Sequence, residues 1–465
     1  MMAVSLTDGF ERALGEILTR VRALTDTIST DVPAIAVAYS GGLDSSVLLH
    51  LAQEYASTRG ITLFAFHIHH GISPNADHWL THCQNESGRL GVTFDSRRIN
   101  LKNPEKNGTE EAARKGRYAA LGDLCRGRRV SLLLTAHHQD DQAETVLLQL
   151  LRGSGVAGLS GMDTANLAPD LLGGTTPAMA RPLLTLSRKD LENFAVEAAI
   201  PYVDDESNLD PRYARNALRH NVMPILAQAF PGFQERFART AQHAQSAQRL
   251  LIELASQDLA ICLDGDCIGL SKLRELSPDR IDNLLRYWFG SRGVRMPSTA
   301  WLSEMRTQLL DAKSDAQLCV THADCHIRRH RDRVFLTPRL ALDPEAIAPQ
   351  IFRWKGESQI QFPLFDGVLH IEAAEDGIAT DWLQEQDLII RFREGGERMK
   401  LASNRPTKAL KYHYQALDVP AWERTRLPII ATTSQILFAA GIGMDCHQLG
   451  TGTVARVRFR WQHGN

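Results

Sequence analysis

Short apolar runs alternate with longer amphipathic segments in the first third of the chain, and this pattern predicts its architecture. The runs predicted as strands are Pro33–Tyr39, Leu63–His67, Thr93–Ile99 and Ser131–Ala136. The segments predicted as helices are Ser45–Thr58, Ala76–Leu90, Thr109–Cys125 and Gln142–Leu151. Strands that alternate with helices form βαβ units, so we expect an α/β domain built on a parallel sheet. Ligands of such sheets bind at the carboxyl ends of the strands.

The pattern changes after Arg152. The Gly-, Pro- and Thr-containing stretch Asn166–Ala178 is predicted to be a surface loop, and it holds no motif that can be assigned. The helices predicted beyond it are Ser187–Ala199, Tyr213–Ala229, Gln234–Ser256, Asp279–Gly290 and Ser298–Ala312. The remaining predicted elements are a hairpin-like pair (Gln317–Thr321 and Cys325–Leu336), a linker (Leu340–Gln350), and short strands with one helix near Lys408–Leu417.

These segments predict three domains. An α/β catalytic domain is expected over residues 1–230, a mainly helical domain over 231–340, and a small α+β domain over 351–465. The chain shows no secretory signal and no apolar run long enough to span a bilayer, so we expect a cytoplasmic protein without a membrane partner. The seven cysteines are scattered and form no CxxC pair, which argues against a zinc ribbon or an iron–sulfur site.

The net charge of −2 conceals an uneven distribution. Phe365–Asp387 contains seven acidic residues and no Lys or Arg, whereas Arg391–Asn465 contains twelve Lys and Arg against five acidic residues. In the basic segment, Arg456, Arg458 and Arg460 alternate at strand spacing and therefore share one face. Such a stripe can follow nucleic-acid phosphates. The alternative is an ordinary solvated β-domain.

The most specific motif, Ser40-Gly41-Gly42-Leu43-Asp44-Ser45-Ser46, follows the first predicted strand. Its glycines permit a sharp turn, and its N–H groups and the following helix N-terminus favour an anion. The serine hydroxyls add donors, and the Asp44 carboxylate can hold Mg²⁺ against phosphate. The alternative is a simple helix cap after a glycine turn. The motif lacks the Gly-Lys-Ser/Thr ending of a Walker loop and resembles the pyrophosphate loop of PP-loop ATP pyrophosphatases.

A second polar cluster, Thr135–Thr145, follows the fourth predicted strand. Asp141 and Thr145 lie four residues apart and face together on the predicted helix, with Glu144 adjacent. The cluster could hold Mg²⁺, bind an amine or move protons. An acidic helix start would account for the aspartates but not for His137 and His138. The pattern leaves open which of these two histidines, and which of Asp140 and Asp141, acts directly.

Taken together, three motifs resemble those of the tRNA(Ile)-lysidine synthetase family: Ser40–Ser46, His67–Gly71 and His137–Thr145. Further segments match the family in the same order, namely Gly108–Tyr118, Leu150–Gly155, Arg181–Leu184, Asp204–Arg219, Arg391–Lys400 and Val419–Arg424. One departure is His70–Ser73, where many relatives carry an arginine near the serine.

The resemblance implies that ATP adenylates the C2 oxygen of the wobble cytidine in an isoleucine tRNA with a CAU anticodon. The side-chain amine of free L-lysine then displaces AMP and leaves lysidine. Tandem tRNA-binding domains would follow a PP-loop domain of the adenine nucleotide α-hydrolase type. ATP and Mg²⁺ are the implied cofactors, and the sequence leaves monomer or homodimer open. The alternatives are another PP-loop tRNA modifier, such as a cytidine thiolase, and a non-catalytic tRNA-binding protein.

Site residues follow from the motifs and the resemblance together. The expected ATP-binding residues are Ser40, Gly41, Gly42, Leu43, Asp44, Ser45 and Ser46, with Asp44 also the expected metal ligand. Catalytic roles are expected of Asp44, His137 and Asp141. Contacts to substrate or tRNA are expected of Arg114, Arg117, Glu144, Arg181, Arg215, Asn216, Arg219, Arg456, Arg458 and Arg460.

Overall fold

The structure of the protein is a computed structural model of the full chain. It describes residues 6–25, 34–69, 71, 73–99, 109–174, 177–204, 214–313, 318–339 and 347–463. Several residues of the predicted motifs lie outside these ranges: His70, Ile72, Gly108, Asp205, Ser207 and Asn208. The chain divides into two compact units, Met1–Leu254 and Ala255–Asn465.

The described α-helices are α1 Leu6–Thr25, α2 Leu43–Arg59, α3 Ala76–Arg89, α4 Thr109–Arg128, α5 Gln139–Leu151, α6 Val156–Leu159, α7 Arg188–Glu197, α8 Ala214–Ala217, α9 Met223–Ala229, α10 Phe233–Cys262, α11 Leu270–Leu273, α12 Pro278–Ser291, α13 Thr299–Asp311, α14 Thr380–Gln384, α15 Leu410–Ala416 and α16 Ala421–Arg424. A π-helical turn, Leu218–Val222, joins α8 to α9. Within the described residues, no helix has the length and apolarity needed to cross a lipid bilayer.

The strands of the first unit are β1 Ile35–Ala38, β2 Leu63–His69, β3 Thr93–Arg98, β4 Leu132–Leu134, β5 Ala165–Leu167 and β6 Ala178–Ala180. They form one sheet in the order β3-β2-β1-β4-β6-β5, and only β5 runs antiparallel to its neighbour. The chain builds outward from β1 through β2 and β3, then returns to add β4 on the other side. This reversal creates a switch point between β1 and β4, where open α/β sheets bind ligands.

The apolar pattern explains this sheet. Every residue of β4 is buried, and β1 is buried along most of its length, as expected for parallel strands covered on both faces. The parallel α/β architecture predicted from the sequence is therefore confirmed. Helix α1 packs on the same core through Phe10, Leu14 and Ile17, spaced at helical intervals.

The predicted surface loop Asn166–Ala178 is wrong at both ends. Asn166 lies in β5, and Ala178 begins β6, which pairs with β4 inside the sheet. Between them Leu172 is fully buried, although Gly173 and Gly174 adopt positive φ angles typical of turns. Small side chains explain the error, because Ala178 and Ala180 fill a crowded sheet interior without giving an apolar signal as strong as Leu or Val.

The strands of the second unit are β7 Leu263–Asp264, β8 Cys267–Gly269, β9 Cys319–Thr321, β10 Cys325–His330, β11 Arg333–Pro338, β12 Gln350–Phe352, β13 Gln359–Phe362, β14 Gly367–Ala379, β15 Leu388–Arg391, β16 Arg398–Met399, β17 Lys408–Ala409, β18 Ile429–Ala431, β19 Ile436–Ala439, β20 Gly443–Met444, β21 Gly450–Thr451 and β22 Arg456–His463. The middle region combines its helices with a five-stranded sheet, β7-β8-β11-β10-β9. The C-terminal region contains antiparallel sheets, as the predicted α+β domain requires.

The longest strand pairing of the C-terminal region joins β14 to β22. Its antiparallel register places Glu372 opposite Arg458 and His370 opposite Arg460, with a bulge between Ala373 and Ile378. The acidic segment noted in the sequence therefore lies beside the basic one. Val457 and Phe459 alternate with the arginines and are buried, so the arginines occupy the other face of β22.

Candidate active site

The glycine–serine loop connects β1 to α2 at the switch point of the sheet. Gly41 has φ +88°, and a Cβ placed there would meet Cys83 Sγ at 2.9 Å and Val203 Cγ2 at 3.2 Å. Its carbonyl accepts a hydrogen bond from Val203 N at 2.9 Å. A left-handed backbone under such close approach requires glycine, so this residue fixes the loop conformation.

The loop serines hold one another and the loop backbone. Ser40 Oγ and Ser45 Oγ lie 3.0 Å apart, and Ser45 Oγ donates to Gly42 O at 3.0 Å. Ser46 is fully buried and its hydroxyl donates to Gly41 O at 3.2 Å. Ser40, Gly42 and Ser45 line the adjacent cavity, whereas Gly41 and Ser46 do not. Gly41 and Ser46 therefore hold the loop conformation without lining the cavity. Direct contact of Ser46 with ATP stays a prediction.

Asp44, in the first turn of α2, is the charged member of the loop. Its Oδ2 accepts a hydrogen bond from Arg188 Nη1 at 2.6 Å, and His138 Nε2 lies 3.8 Å from the same oxygen. Its Oδ1 is buried without a hydrogen-bond partner among the described residues. Burial raises the pKa of Asp44 above its usual value, although His138 and Arg188 oppose that shift.

His138 lies among the carboxylates of the second cluster. The side chain is buried, with Nδ1 3.6 Å from Asp140 Oδ2 and Nε2 3.4 Å from Asp141 Oδ2. Burial works against its protonation, but the contact with Asp140 and the charges of Asp141 and Asp44 raise the pKa of His138. The surrounding carboxylates therefore favour the imidazolium form of His138.

His137 has different surroundings from its neighbour. Its Nδ1 lies 3.0 Å from Thr135 Oγ1, and that hydroxyl is also 3.3 Å from Ala180 O. A carbonyl can only accept, so if the Thr135 hydroxyl donates to Ala180 O, Nδ1 of His137 carries the proton and Nε2 is left as a base. Burial lowers the pKa of His137, which keeps the imidazole neutral near pH 7.

Glu144 and Arg219 form the next layer of the site. Glu144 is buried, and Arg219 donates to it from Nε at 2.7 Å and from Nη2 at 3.0 Å. Arg219 Nη2 also donates to Asp141 Oδ1 at 3.1 Å. Arg215 donates from Nη2 to Thr145 Oγ1 at 3.1 Å, and Thr145 in turn donates to Asp141 O. The arginines predicted from the Asp204–Arg219 segment are thus brought to the face of α5 that carries Asp141, Glu144 and Thr145.

A cavity of about 360 Å³ opens beside these groups. Its polar lining residues include Ser40, Asp44, Thr135, His137, Arg188 and Arg219. Its lining also includes the apolar side chains of Phe66, Ile68, Trp79 and Leu121, and His67 and His69 of the His67–Gly71 motif. A cavity lined by both apolar and charged side chains suits a ligand with a flat base and phosphates.

The remaining predicted contact residues of the first unit differ in accessibility. Arg117 lines the cavity, and the exposed Arg114 lies 5.1 Å from the centre of the Tyr118 ring. Arg181 is buried, and its Nη1 donates to Asp163 O at 2.7 Å and to Asn166 Oδ1 at 2.8 Å. These contacts tie the residue that follows β6 to β5 and to the chain just before β5. A substrate contact by Arg181 or by Asn216 stays a prediction.

The arginine stripe of β22 exists, but it is not a free basic surface. Arg456 donates from Nη1 to Gly377 O at 3.0 Å, Arg458 pairs with Asp376, and Arg460 donates from Nε to Glu372 Oε1 at 2.8 Å. The shared face was predicted correctly. The excess of positive charge counted in the sequence is partly offset, because carboxylates of β14 lie beside Arg458 and Arg460. The sequence of β22 alone does not show which side chains the neighbouring strand places there.

Arg188 is the site residue that the sequence reasoning missed. It begins α7, and its backbone N–H donates to Asp140 Oδ2 at 2.8 Å while its side chain reaches Asp44. Gln234 of α10 donates to Asp140 Oδ1 at 3.2 Å. These residues lie far along the chain from their partners, so spacing gives no signal. The one local hint is a charged residue directly after the N-cap Ser187.

The fold and site define a PP-loop enzyme that uses ATP. Residues 11–226 match the family model of the PP-loop domain. Residues 269–335 match the TilS substrate binding domain, and residues 388–461 match the TilS substrate C-terminal domain.

Curated relatives give the finer assignment. The chain is 40% identical over 451 residues to the tRNA(Ile)-lysidine synthase of Burkholderia pseudomallei (strain K96243), covering 89% of this chain and 90% of that protein. It is 38% identical to the protein of the same name from Ralstonia nicotianae (strain ATCC BAA-1114 / GMI1000), covering 92% of each. The chain belongs to the tRNA(Ile)-lysidine synthase family, which confirms the resemblance stated from the motifs.

Two solved structures give weaker similarity. The U34-tRNA thiolase NcsA from Methanococcus maripaludis aligns with a TM-score of 0.38 and 18% identity, covering 50% of this chain and 80% of that chain. A TILS C-terminal domain aligns with a TM-score of 0.22 and 21% identity, covering 25% of this chain and 99% of that chain.

Proposed function

We propose that this protein joins L-lysine to C2 of the wobble cytidine in the isoleucine tRNA with a CAU anticodon, through an adenylated cytidine. ATP is consumed and AMP and pyrophosphate are released. The observation that carries the proposal is the meeting of two motifs at one cavity. The loop after β1 contributes Ser40 and Asp44, and the cluster after β4 contributes His137.

In the first step the C2 oxygen of the cytosine attacks the α-phosphorus of ATP. A new oxygen–phosphorus bond forms and the bond to pyrophosphate breaks. The cytosine oxygen is a weak nucleophile, so positioning and charge neutralisation must supply most of the barrier reduction. The loop N–H groups at the start of α2 and the neighbouring serines provide a cradle for the departing pyrophosphate.

The residues present fit a magnesium ion at this cradle. The Oδ1 atom of Asp44 is buried without a hydrogen-bond partner among the described residues, and carboxylate oxygen is a preferred magnesium ligand. Asp44 is therefore the residue that would hold the ion. When bound, Mg²⁺ would supply neutralisation of the negative charge on the pyrophosphate.

In the second step the side-chain amine of lysine attacks C2, and the bond between C2 and the oxygen of AMP breaks. The attacking amine must be neutral, so a base is required. His137 lines the cavity, and burial lowers its pKa, which keeps the imidazole unprotonated but also makes it a weak base. We assign His137 as the group that takes the proton once the amine nitrogen has bonded to C2, when its N–H is strongly acidic.

The lysine itself needs groups of both charges. Asp141 and Glu144 offer carboxylates to its α-ammonium group, and Arg219 and Arg215 offer guanidinium donors to its carboxylate. These side chains converge on one face of α5, next to His137.

A thiolase reaction finds no support in the same region. The described residues that line the cavity include no cysteine. Cys83 lies beneath Gly41, where burial raises the pKa of its thiol to about 12 and makes it unreactive.

The test is incubation with bulk tRNA, ATP and radiolabelled amino acids supplied one at a time. Lysine alone should label the tRNA, and AMP and pyrophosphate should appear in step with the label. Formation of ADP and phosphate as the tRNA-dependent products would contradict the ATP chemistry. Binding of tRNA without labelling by any amino acid would favour the non-catalytic alternative.

A further inference from the structure

Arg188 occupies a position that neither the motifs nor the proposed chemistry explains. It starts α7 directly after the N-cap Ser187, whose hydroxyl accepts a hydrogen bond from Asp190 N at 3.2 Å. Its own backbone N–H donates to Asp140 Oδ2 at 2.8 Å. The main chain of Arg188 is therefore fixed beside the cavity by the helix cap and by the histidine–aspartate cluster.

The side chain of Arg188, in contrast, spans two carboxylates. Nη1 donates to Asp44 Oδ2 at 2.6 Å, and Nε donates to Glu192 Oε1 at 3.0 Å, one turn along α7. The side chain is 39% exposed and lines the cavity, so it can rotate without leaving the protein core unfilled. An ion pair with this exposure is held weakly and exchanges readily for a more highly charged partner.

Its partner is the residue that the proposed function assigns to magnesium. Asp44 has one oxygen engaged by Arg188 and a second, Oδ1, that is buried without a hydrogen-bond partner among the described residues. A guanidinium on a carboxylate reduces the charge that this carboxylate offers to a cation. Polyphosphate carries more negative charge than Asp44 and binds guanidinium groups through paired hydrogen bonds.

A second arginine of the cavity shows the contrast. Arg219 is held by both oxygens of Glu144 and by Asp141, so three hydrogen bonds tie its Nε and Nη2 to α5. Arg188 makes one hydrogen bond to the loop aspartate and one to a carboxylate of its own helix. The partners of Arg188 can therefore be exchanged at lower cost than those of Arg219.

We propose that Arg188 changes partners when ATP binds. In the free protein it neutralises Asp44, and in the ATP complex it moves to the β- and γ-phosphates and leaves Asp44 to the cation. The residue would prevent repulsion between Asp44 and the incoming polyphosphate and would couple ATP binding to cation binding. The inference rests on the proposed use of ATP, but it requires neither tRNA nor lysine.

The test compares Arg188→Ala with Lys189→Ala, which removes a cation from the neighbouring exposed position of the same helix. Manganese binding to the nucleotide-free protein, followed by electron paramagnetic resonance, should be several-fold tighter in Arg188→Ala. Calorimetric titration with ATP and Mg²⁺ should show affinity weakened by about tenfold or more, as expected when a charge-assisted hydrogen bond is removed. Affinity for AMP, which has no β- or γ-phosphate, should be unchanged.

The opposite signs of the manganese and ATP effects are what distinguish an exchange of partners from a structural role. Unchanged ATP affinity, equal losses for ATP and AMP, or unaltered manganese affinity would each overturn the proposal. Arg188→Gln, which keeps most of the side-chain length, replaces Arg188→Ala if thermal unfolding shows that the alanine variant is poorly folded. Because no tRNA or lysine is present, these measurements can succeed even if the protein fails to make lysidine.

Discussion

Arg219 grips Glu144 with two hydrogen bonds, from Nε to Oε1 at 2.7 Å and from Nη2 to Oε2 at 3.0 Å, across 75 positions of the sequence. Burial raises the pKa of Glu144 despite this contact. Burial opposes the charged form of Arg219, but the contact with Glu144 outweighs it and raises the pKa of Arg219. The two side chains therefore form a doubly hydrogen-bonded unit in a partly dry environment, next to the Asp141 carboxylate. Such a unit can bind an amino acid whose own charges complement it.

The first prediction concerns lysine binding by this pair. Glu144→Gln should raise KM for lysine by about tenfold or more, because a charged hydrogen bond to the ammonium group is removed. The KM for ATP should change little. The check is steady-state kinetics with lysine varied at saturating ATP and tRNA. Glu197→Gln, at the exposed end of α7, is the matched control. A fall in kcat with KM for lysine unchanged would remove Glu144 from the binding site.

The second prediction concerns Asp44. Asp44→Asn keeps the shape of the side chain but removes the charge that would hold Mg²⁺ at the pyrophosphate. It should abolish tRNA-dependent pyrophosphate release while tRNA affinity, measured by gel shift, stays near the wild-type value. The same substitution at the exposed Asp170 should leave both quantities unchanged. Turnover of Asp44→Asn near the wild-type rate would exclude Asp44 from the reaction.

The third prediction concerns the loop backbone. Gly41→Ala should lower the free energy of unfolding by about 1–2 kcal/mol for the left-handed conformation alone. The new Cβ would also press on Cys83 and Val203, which lie under 3.4 Å from it. Gly88→Ala is the control, since Gly88 lies inside α3 with open space around its Cα. That change should be neutral or slightly stabilising.

Thermal unfolding and ATP titration of both glycine variants provide the measurement. Gly41→Ala should show a lower Tm and weaker ATP binding, whereas Gly88→Ala should show neither. If Gly41→Ala binds ATP with the wild-type affinity, ATP binding does not depend on the left-handed conformation of the loop at Gly41.

The fourth prediction follows from Asp140. Burial opposes its ionisation, but the nearby His138 imidazole, whose Nδ1 lies 3.6 Å from Oδ2, and the hydrogen bond from the Arg188 backbone hold the pKa of Asp140 at about 2. A carboxyl whose folded pKa lies below its unfolded value stabilises the fold above the unfolded pKa. That stabilisation disappears as pH falls through the folded pKa. Asp140→Asn should therefore reduce Tm more at about pH 7 than at about pH 3.

The measurement is thermal unfolding of wild type and Asp140→Asn across this pH range, with Asp170→Asn as the control. An equal reduction in Tm at both pH values would contradict the prediction. It would mean that Asp140 stabilises the fold through packing or hydrogen bonding and that its charge contributes nothing.

Local patterns were sufficient for most of the first unit. The glycine–serine loop, its flanking strand and helix, and the His137–Asp141 cluster are contiguous in sequence, so turn chemistry and periodicity identified them. Helix α1 was not predicted, although Phe10, Leu14, Ile17 and Val21 recur at helical spacing and are buried. The periodic signal for this helix is therefore present in the sequence.

Side-chain contacts between residues that are distant in the sequence could not be predicted. Asp44 and Arg188 are 144 residues apart, and only the packing of α7 beside α2 brings them together. The pairing of Glu372 with Arg460 depends likewise on the register of β14 against β22. Sequence spacing places side chains on one face of an element, but it does not reveal what the neighbouring element presents to that face.

The last prediction concerns the arginine stripe of β22 and whether it binds tRNA. Arg458 and Arg460 are about half exposed and paired with Asp376 and Glu372, which are equally exposed. Exposed pairs of this kind are weak, so RNA phosphates can displace the carboxylates. Replacing Arg456, Arg458 and Arg460 together by Ala should weaken tRNA binding and reduce the salt slope by about one unit for each phosphate that is no longer bound.

Substituting a carboxylate of β14 tests the same prediction more directly. Glu372→Gln frees Arg460 and removes a negative charge near the phosphates, so it should strengthen tRNA binding, whereas Arg460→Ala should weaken it. Arg456→Ala should have a smaller effect than Arg460→Ala, because Arg456 is partly buried and donates to Gly377 O.

ATP affinity should stay constant in every variant, since the glycine–serine loop belongs to the other compact unit. The decisive measurement is tRNA affinity as a function of salt concentration. If Glu372→Gln and the triple variant both give the wild-type curve, the arginines serve to pair β22 with β14, and tRNA is bound elsewhere on the protein.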